Sequence, residues 1–241
     1  MDFRKRDNVT VDCVVFGLDS NGLHVLLRNR TLNMYDDDYP IIDDWIVTGY
    51  YVFKSKTLEE SADLIFKEIT GLSNVDKMQF KTYGNPNRMK SDKDILWVRS
   101  RGVKTQTMTT AYYYALPLGT VKLKHDGFKW FLYGELPELG FDHSKIVEDA
   151  YEDLKRKIMI EPIIFDFLPP KFTLNDLQFA YEAIFNIEID NRNFRKKVLS
   201  KSYVVGTNEK RKGVSKKPSK LYFFSREIYD EVKGKDYLVS I

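Results

Sequence analysis

Cysteine is almost missing from this chain: Cys13 is the only one in 241 residues. A lone cysteine excludes an internal disulfide and a zinc site built on thiolates. It lies in the apolar run Val9–Phe16 and reads as a core thiol. Histidine is scarce as well, with three in all, so no metal cluster and no cofactor are expected, and His143 at a helix start reads as a surface residue. No run is long and apolar enough to span a bilayer. The opening Met1-Asp2-Phe3-Arg4-Lys5-Arg6-Asp7 has no apolar stretch of the signal-peptide kind. Low-complexity tracts and internal repeats are also missing. These absences predict a cytoplasmic protein without a membrane partner, of one or two domains each able to bury a core.

The first two thirds carry a mixed pattern. Val9–Phe16 is β-rich, Asp19-Ser20-Asn21-Gly22 is a turn, and Leu23–Arg28 returns as the partner strand. Tyr35 to Pro40 is an acidic loop. Thr57-Leu58-Glu59-Glu60 has the form of a capping box, opening a helix that runs through Lys67 and stops near Gly71. The helix has one apolar stripe, Leu58, Ala62, Ile65, Phe66 and Ile69. Residues 85–106 are polar and read as a long loop, with a short helix or strand near Ile95-Leu96-Trp97-Val98. Tyr112–Pro117 is a further strand. Asp142 is placed to cap a long helix whose inward positions are Ile146, Ala150, Leu154 and Ile158. Glu161 to Pro170 is an apolar connector whose Pro169-Pro170 marks the boundary, and the chain divides into 1–160, with the long helix at about 142–160, and 161–241, which includes the connector.

The last third has the local physics of a DNA reader. Thr173 can cap a helix with the apolar face Leu174, Leu177, Ala180, Tyr181, Ile184 and Phe185. After a short break, Asp190 or Asn191 can cap a second helix that buries Phe194, Val198 and Leu199 and shows Arg192, Asn193, Arg195, Lys196 and Lys197 to solvent. Tyr203-Val204-Val205 and Leu221–Phe224 flank a basic loop, as in a hairpin. Helix, turn, basic helix and basic hairpin is the order of a winged helix-turn-helix. Between Asn191 and Lys220 stand eleven Lys/Arg against one acid, Glu209, in a chain whose net charge is only +3. Such focused charge suits phosphate neutralisation; the blander reading is a solvated helix face beside a basic loop.

The segment ending Phe66-Lys67-Glu68-Ile69-Thr70-Gly71-Leu72 resembles the Nudix box, in the register set by Gly71-Leu72 and the preceding Gly49. The family's metal-holding glutamates fall on Ile65, Glu68 and Ile69, its upstream Glu on Lys56, its Arg on Leu64 and its first Gly on Tyr50. Nudix hydrolysis uses Mg²⁺, which needs several hard oxygen ligands. One carboxylate flanked by two isoleucines does not supply them, so a Nudix fold without Nudix catalysis is expected.

The order of motifs resembles the Nudix-related transcriptional regulators. The residues carrying the resemblance are His143, Phe167-Leu168-Pro169, Lys171-Phe172-Thr173-Leu174, Leu177-Gln178, Tyr181-Glu182-Ala183-Ile184, 190–197 (Asp-Asn-Arg-Asn-Phe-Arg-Lys-Lys) and 216–222 (Lys-Lys-Pro-Ser-Lys-Leu-Tyr). The chain departs from the pattern where the wing's Gly-Arg becomes Lys216-Lys217 and where residues 85–106 outrun the usual short link. The resemblance implies an α+β chain: an N-terminal Nudix-type α/β/α sandwich with a mixed sheet, then a C-terminal winged helix-turn-helix. It implies a homodimer on a double-stranded DNA operator with two-fold symmetry and a small-molecule effector in the old substrate cleft. Arg192, Asn193 and Arg195 are placed to reach base edges. Lys196, Lys197, Lys201, Lys210, Arg211, Lys212, Lys216, Lys217 and Lys220 are placed for phosphates. Family effectors are ADP-ribose in one branch and sugars in another. Arg28, Arg30 and Lys56 would suit a diphosphate. Asp43, Asp44, Trp45, Tyr50, Tyr51 and Glu68 would suit a sugar, and that reading is favoured, with Arg28, Asp44, Trp45, Tyr51 and Glu68 as effector contacts. The alternative from another class is a Nudix hydrolase with relocated ligands such as Asp43, Asp44, Glu59 and Glu60 and a basic nucleic-acid-binding appendage.

Overall fold

The computed structural model describes residues 4–89, 91–102, 107–211 and 218–236. The chain forms two compact units, Met1–Ile160 and Glu161–Ile241. No helix among the described residues is long and apolar enough to cross a membrane.

The first unit is built on one long strand, β1 (Lys5–Asp19), buried on both faces over most of its length. The hairpin at Gly22 returns it as β2 (Gly22–Leu32), with Val15 opposite Leu26 and Asp19 opposite Gly22. β3 (Ile42–Ile46) lies on the far side of β2, and β4 (Thr48–Phe53) pairs with the first half of β1. Helix α1 (Leu58–Thr70) follows, then β5 (Lys77–Tyr83), helix α2 (Asp92–Ser100), β6 (Met108–Pro117) and β7 (Phe128–Leu132). β1 and β6 are parallel over Val9–Leu18, and the other pairs are antiparallel. The result is a seven-stranded mixed sheet in the order β3-β2-β1-β6-β5, with β4 on β1 and β7 on β2. β5 ends the sheet, and its register shifts between Gln79 and Lys81.

Side-chain alternation sends β1 into two layers. Val11, Cys13 and Val15 pack with Tyr112, Tyr114 and the α1 stripe Ala62, Phe66 and Ile69. Phe66 stacks on Tyr114 at 4.0 Å between ring centroids. The buried Cys13 is therefore the core thiol that its neighbours in sequence imply. Phe16 and Tyr113 meet edge to face on the opposite side of the sheet, where α3 (His143–Ile158) turns Ile146, Val147, Ala150 and Leu154 inward. Thr57 and Glu60 form the expected capping box of α1, and Gly71, at φ +75°, ends it in the left-handed conformation that favours glycine.

Within the polar stretch 85–106, the short element expected near Ile95–Val98 is a helix, α2, whose N-cap Ser91 accepts from the Asp94 amide. The structure corrects two other expectations. Asp142 makes no capping bond to α3; its carboxylate is instead gripped by both arms of Arg88, at 3.0 and 2.7 Å. His143 is buried rather than at the surface. β5 was not expected from the sequence.

The second unit opens with a short 3-10 helix, Pro162–Phe167. Helices α4 (Leu174–Phe185) and α5 (Asn191–Leu199) follow, then the hairpin of β8 (Val204–Lys210) and β9 (Lys220–Phe224), then α6 (Arg226–Asp236). Thr173 and Asp176 build a capping box on α4, and Asp190 caps α5. Phe172 and Tyr222 exchange backbone hydrogen bonds of 2.9 and 2.8 Å, which ties the α4 entry to the hairpin. Phe165 stacks on Phe224 at 4.4 Å and meets Phe172 and Tyr203, so aromatic rings supply much of this unit's core.

Candidate effector cleft and nucleic-acid interface

Two adjoining clefts of the first unit share lining residues. The larger, about 690 Å³, runs along α1 and is lined by Lys56, Leu64, Ile65, Glu68, Phe53 and Phe128 among others. The smaller, about 390 Å³, is walled on one side by α2 and its flanks, with Arg88, Met89, Trp97, Val98 and Arg101. Arg28, Gly49 and Tyr50 line both. Gly49 is held to glycine by packing: a Cβ there would fall 1.8 Å from the Asp12 carboxylate.

Of the expected effector contacts, Arg28 lines both clefts, Glu68 the larger and Tyr51 the smaller. Asp44 and Trp45 line neither. The Asp44 carboxylate is taken by Arg30, and Trp45 is packed edge-on against Phe131 at 4.9 Å. Arg30, weighed as a diphosphate partner, is only 1% exposed. It is spent on Asp44 and on Asp94 at 2.6 Å, with Phe141 over its guanidinium at 4.5 Å. Lys56 lines the larger cleft but lies 3.5 Å from Glu60.

The Nudix metal does not fit these residues. Ile69 is buried and Ile65 is half-buried apolar surface. The Glu68 side chain is 76% exposed, with His125 at 3.7 Å as its neighbour. The acids that an alternative metal site would use are elsewhere. Glu60 is in the helix cap, Glu59 accepts from the Tyr112 hydroxyl, and Asp43 accepts from the Asn29 amide. Among the described residues no group of three or more His, Cys, Asp or Glu is placed to hold a metal ion.

The wall of the smaller cleft contains a buried polar cluster that sequence reasoning missed. His143 accepts the Val47 amide at Nδ1, 2.9 Å away, and its Nε2 lies 3.9 Å from Asp12. Burial pushes the imidazole below its usual range, partly opposed by Asp12 and Asp142. The bond to Val47 requires an unprotonated Nδ1. A depressed folded-state pKa means that the unfolded chain takes up the proton first as pH falls through the ordinary histidine value of 6.5. This contribution to stability is thus complete above that value and lost below it. The expected result is a melting temperature that falls more steeply between pH 7 and pH 5 in the native chain than in His143→Asn, whose amide oxygen can accept from Val47 without titrating. Equal slopes in the two proteins would rule the contribution out.

In the second unit, α5 carries the basic face. Arg192, Asn193, Lys196 and Lys197 are exposed, in i, i+4 pairs on one side of the helix. Among the described residues no carboxylate pairs with Arg192, Lys196 or Lys197. Lys201, Lys210 and Lys220 are exposed beyond the helix and on the hairpin. Two residues expected on the open face are engaged within the fold. Arg195 is half-buried and donates to Asn191 at 2.8 Å and to Asn175 at 2.7 Å. Arg211 forks onto Asp176 of the α4 capping box. Leu199 is 53% exposed rather than buried, so Phe194 is the main anchor of α5, against Tyr181 at 5.8 Å. Lys212, Lys216 and Lys217 lie outside the described residues. Gln178 receives Asn191 at 2.8 Å and donates to Glu182 and the Ile189 carbonyl, which fixes the turn between the two helices.

Residues 164–224 match the family of the NrtR DNA-binding winged helix domain. Over 230 residues, 92% of this chain and 84% of the relative, the sequence is 26% identical to the ADPR responsive transcriptional repressor NtrR of Acinetobacter baylyi. In fold it is similar to Shewanella oneidensis NrtR complexed with a 27mer DNA, with a TM-score of 0.74, 24% identity, and cover of 93% of this chain and 96% of that one. A MutT/nudix family protein from Enterococcus faecalis is also similar, with a TM-score of 0.65, 21% identity, and cover of 92% and 87%. With its mixed Nudix-type sheet, its altered box and a winged helix that matches the NrtR DNA-binding domain family, the chain is similar along most of its length to Nudix-related transcriptional regulators.

Proposed function

We propose that this regulator binds an operator through α5 and the β8–β9 wing, and that ADP-ribose is the effector sensed by the first unit. The single observation that carries the DNA half is the exposed stripe Arg192, Asn193, Lys196 and Lys197, unpaired by acid among the described residues and set on a braced helix-turn-helix. Asn193 and Arg192, near the start of α5, suit adenine and guanine edges. The lysines suit phosphates, which set affinity without reading sequence. A homodimer on a two-fold operator follows from the usual pairing of identical readers.

The effector half departs from the sugar preferred on sequence grounds. Two residues that favoured a sugar, Asp44 and Trp45, line neither cleft, while Arg28, Lys5 and Arg101 do line one or both. The curated relative from Acinetobacter baylyi is ADPR responsive by name. Hydrolysis is not part of this reading: Ile65 and Ile69 leave the box one carboxylate, too few to hold Mg²⁺ against a diphosphate.

The test is a titration of the purified protein against the promoter region of its own operon, at several salt concentrations, repeated with ADP-ribose and with a panel of pentoses and hexoses. Saturable, sequence-selective binding that ADP-ribose alters and the sugars do not is the expected result. A response to a pentose alone would overturn the effector. Binding that is indifferent to sequence and lost steeply with salt would overturn the reader.

A further inference from the structure

The smaller cleft holds more positive charge than the fold needs. Five acid–base groups face it: Asp12, Arg88, Lys5, Arg28 and Arg101, beside the neutral His143. Arg88 is neutralised by Asp142 at 2.7 Å and Asp12 at 3.5 Å. Lys5, Arg28 and Arg101 have no carboxylate partner among the described residues. Lys5 rests over the Tyr50 ring at 4.5 Å and Arg101 over the Trp97 ring at 3.9 Å. These ring contacts orient the cations without cancelling them.

We infer that Arg28 on β2 and Arg101 at the end of α2 together seat the diphosphate of the effector, so that the bound ligand bridges the sheet and the α2 segment. This rests on the ADP-ribose reading above and goes beyond it in naming the residues and the element.

Three observations support the assignment. First, Arg28 lines both clefts. A ligand with a charged middle and two sugar-bearing ends matches two cavities that meet at a cation. Second, Arg28 and Arg101 repel each other: burial first, then Arg101, pushes the Arg28 guanidinium below its usual range. A dianion placed against both relieves that repulsion and gains forked, charge-assisted hydrogen bonds. Third, a diphosphate in a Nudix cleft is ordinarily offset by metal on the box helix, and here that helix presents Ile65 and Ile69 instead. Arg28, which lines that cleft too, and Arg101 in the adjoining one supply positive charge from the protein itself. Trp97 then has a double use. Its buried ring anchors α2 against Ile42, and its face holds Arg101.

Calorimetric titration of ADP-ribose into the full chain, in EDTA and again in Mg²⁺, tests this. The native protein is expected to bind equally in both. Arg101→Ala and Arg28→Ala are each expected to weaken binding by about tenfold or more, the size of a lost hydrogen-bonded charge contact. Arg101→Lys should recover only part of the loss, because an ammonium cannot fork. Arg101 is exposed, so its replacement leaves the fold standing, and an unchanged melting temperature checks this. Tight binding by the native chain with no loss in either alanine variant would overturn the seat while leaving ADP-ribose as effector. Binding that EDTA abolishes would overturn it in favour of a metal. No binding by the native chain at all would overturn both readings.

Discussion

With Arg192, Lys196 and Lys197 replaced together by alanine, specific DNA binding is expected to fall by a factor of about one hundred or more. Each contact of this kind contributes ~1–3 kcal/mol, and a factor of ten corresponds to about 1.4 kcal/mol. The plot of log affinity against log salt should flatten as well, by roughly 0.9 for each phosphate contact removed. None of the three side chains is buried or paired with a carboxylate among the described residues, so the helix itself should stand. An electrophoretic or fluorescence titration at three salt concentrations measures both quantities. An affinity and slope equal to those of the native protein would remove α5 from the interface. Arg195 is a useful contrast. It is bonded to Asn175 and Asn191, which makes it a brace between α4 and α5. Arg195→Ala should weaken binding through helix placement, with little change in the salt slope.

Arg30→Met is expected to destabilise the first unit by ~3–5 kcal/mol, because it leaves two acids behind a charge that has gone. Asp94 is 4% exposed and Arg30 is 1% exposed. Taking away the guanidinium leaves the Asp94 carboxylate, among the described residues, with the Phe141 amide and the Ser91 hydroxyl. For a unit of this size the loss amounts to roughly 10 °C in Tm. Arg30→Lys should repair only a fraction, since one ammonium cannot serve Asp44 and Asp94 at once and does not lie flat on Phe141. Calorimetry of the two variants decides the matter: a Tm within a degree or two of the native value in Arg30→Met would show that the pair contributes nothing net.

Local signals were well expressed in the sequence. The capping boxes at Thr57 and Thr173, the apolar stripe of α1 and the order α4, α5, hairpin depend on residues close together along the chain, and all are present in the structure. What escaped depends on partners far apart. His143 is buried because β3 and β4 bring the Val47 amide to it. Asp142 is drawn from its capping role by Arg88. Arg30, which on sequence would suit a diphosphate, is claimed instead by Asp44 and Asp94. β5, Lys-Met-Gln-Phe-Lys-Thr-Tyr, has only a partial alternation because just one edge of it is paired. The cleft residues suffered most: Asp44 and Trp45 are near Tyr50 in sequence but meet different neighbours, whereas Trp97 and Arg101 join Arg28 from a distant polar segment whose place in the cleft no local pattern announces.

The same β5 also bears on how copies of the chain can meet. An open sheet edge is a template on which another strand can be laid. This one is interrupted between Gln79 and Lys81, and a break in register bends an edge away from further pairing. Lys77 and Lys81 are fastened beside it, to Asp63 at 2.7 Å and Asp149 at 2.6 Å. Charge and irregularity therefore guard the sheet against strand addition and the runaway polymers that it seeds. Strand addition at this edge is thereby disfavoured.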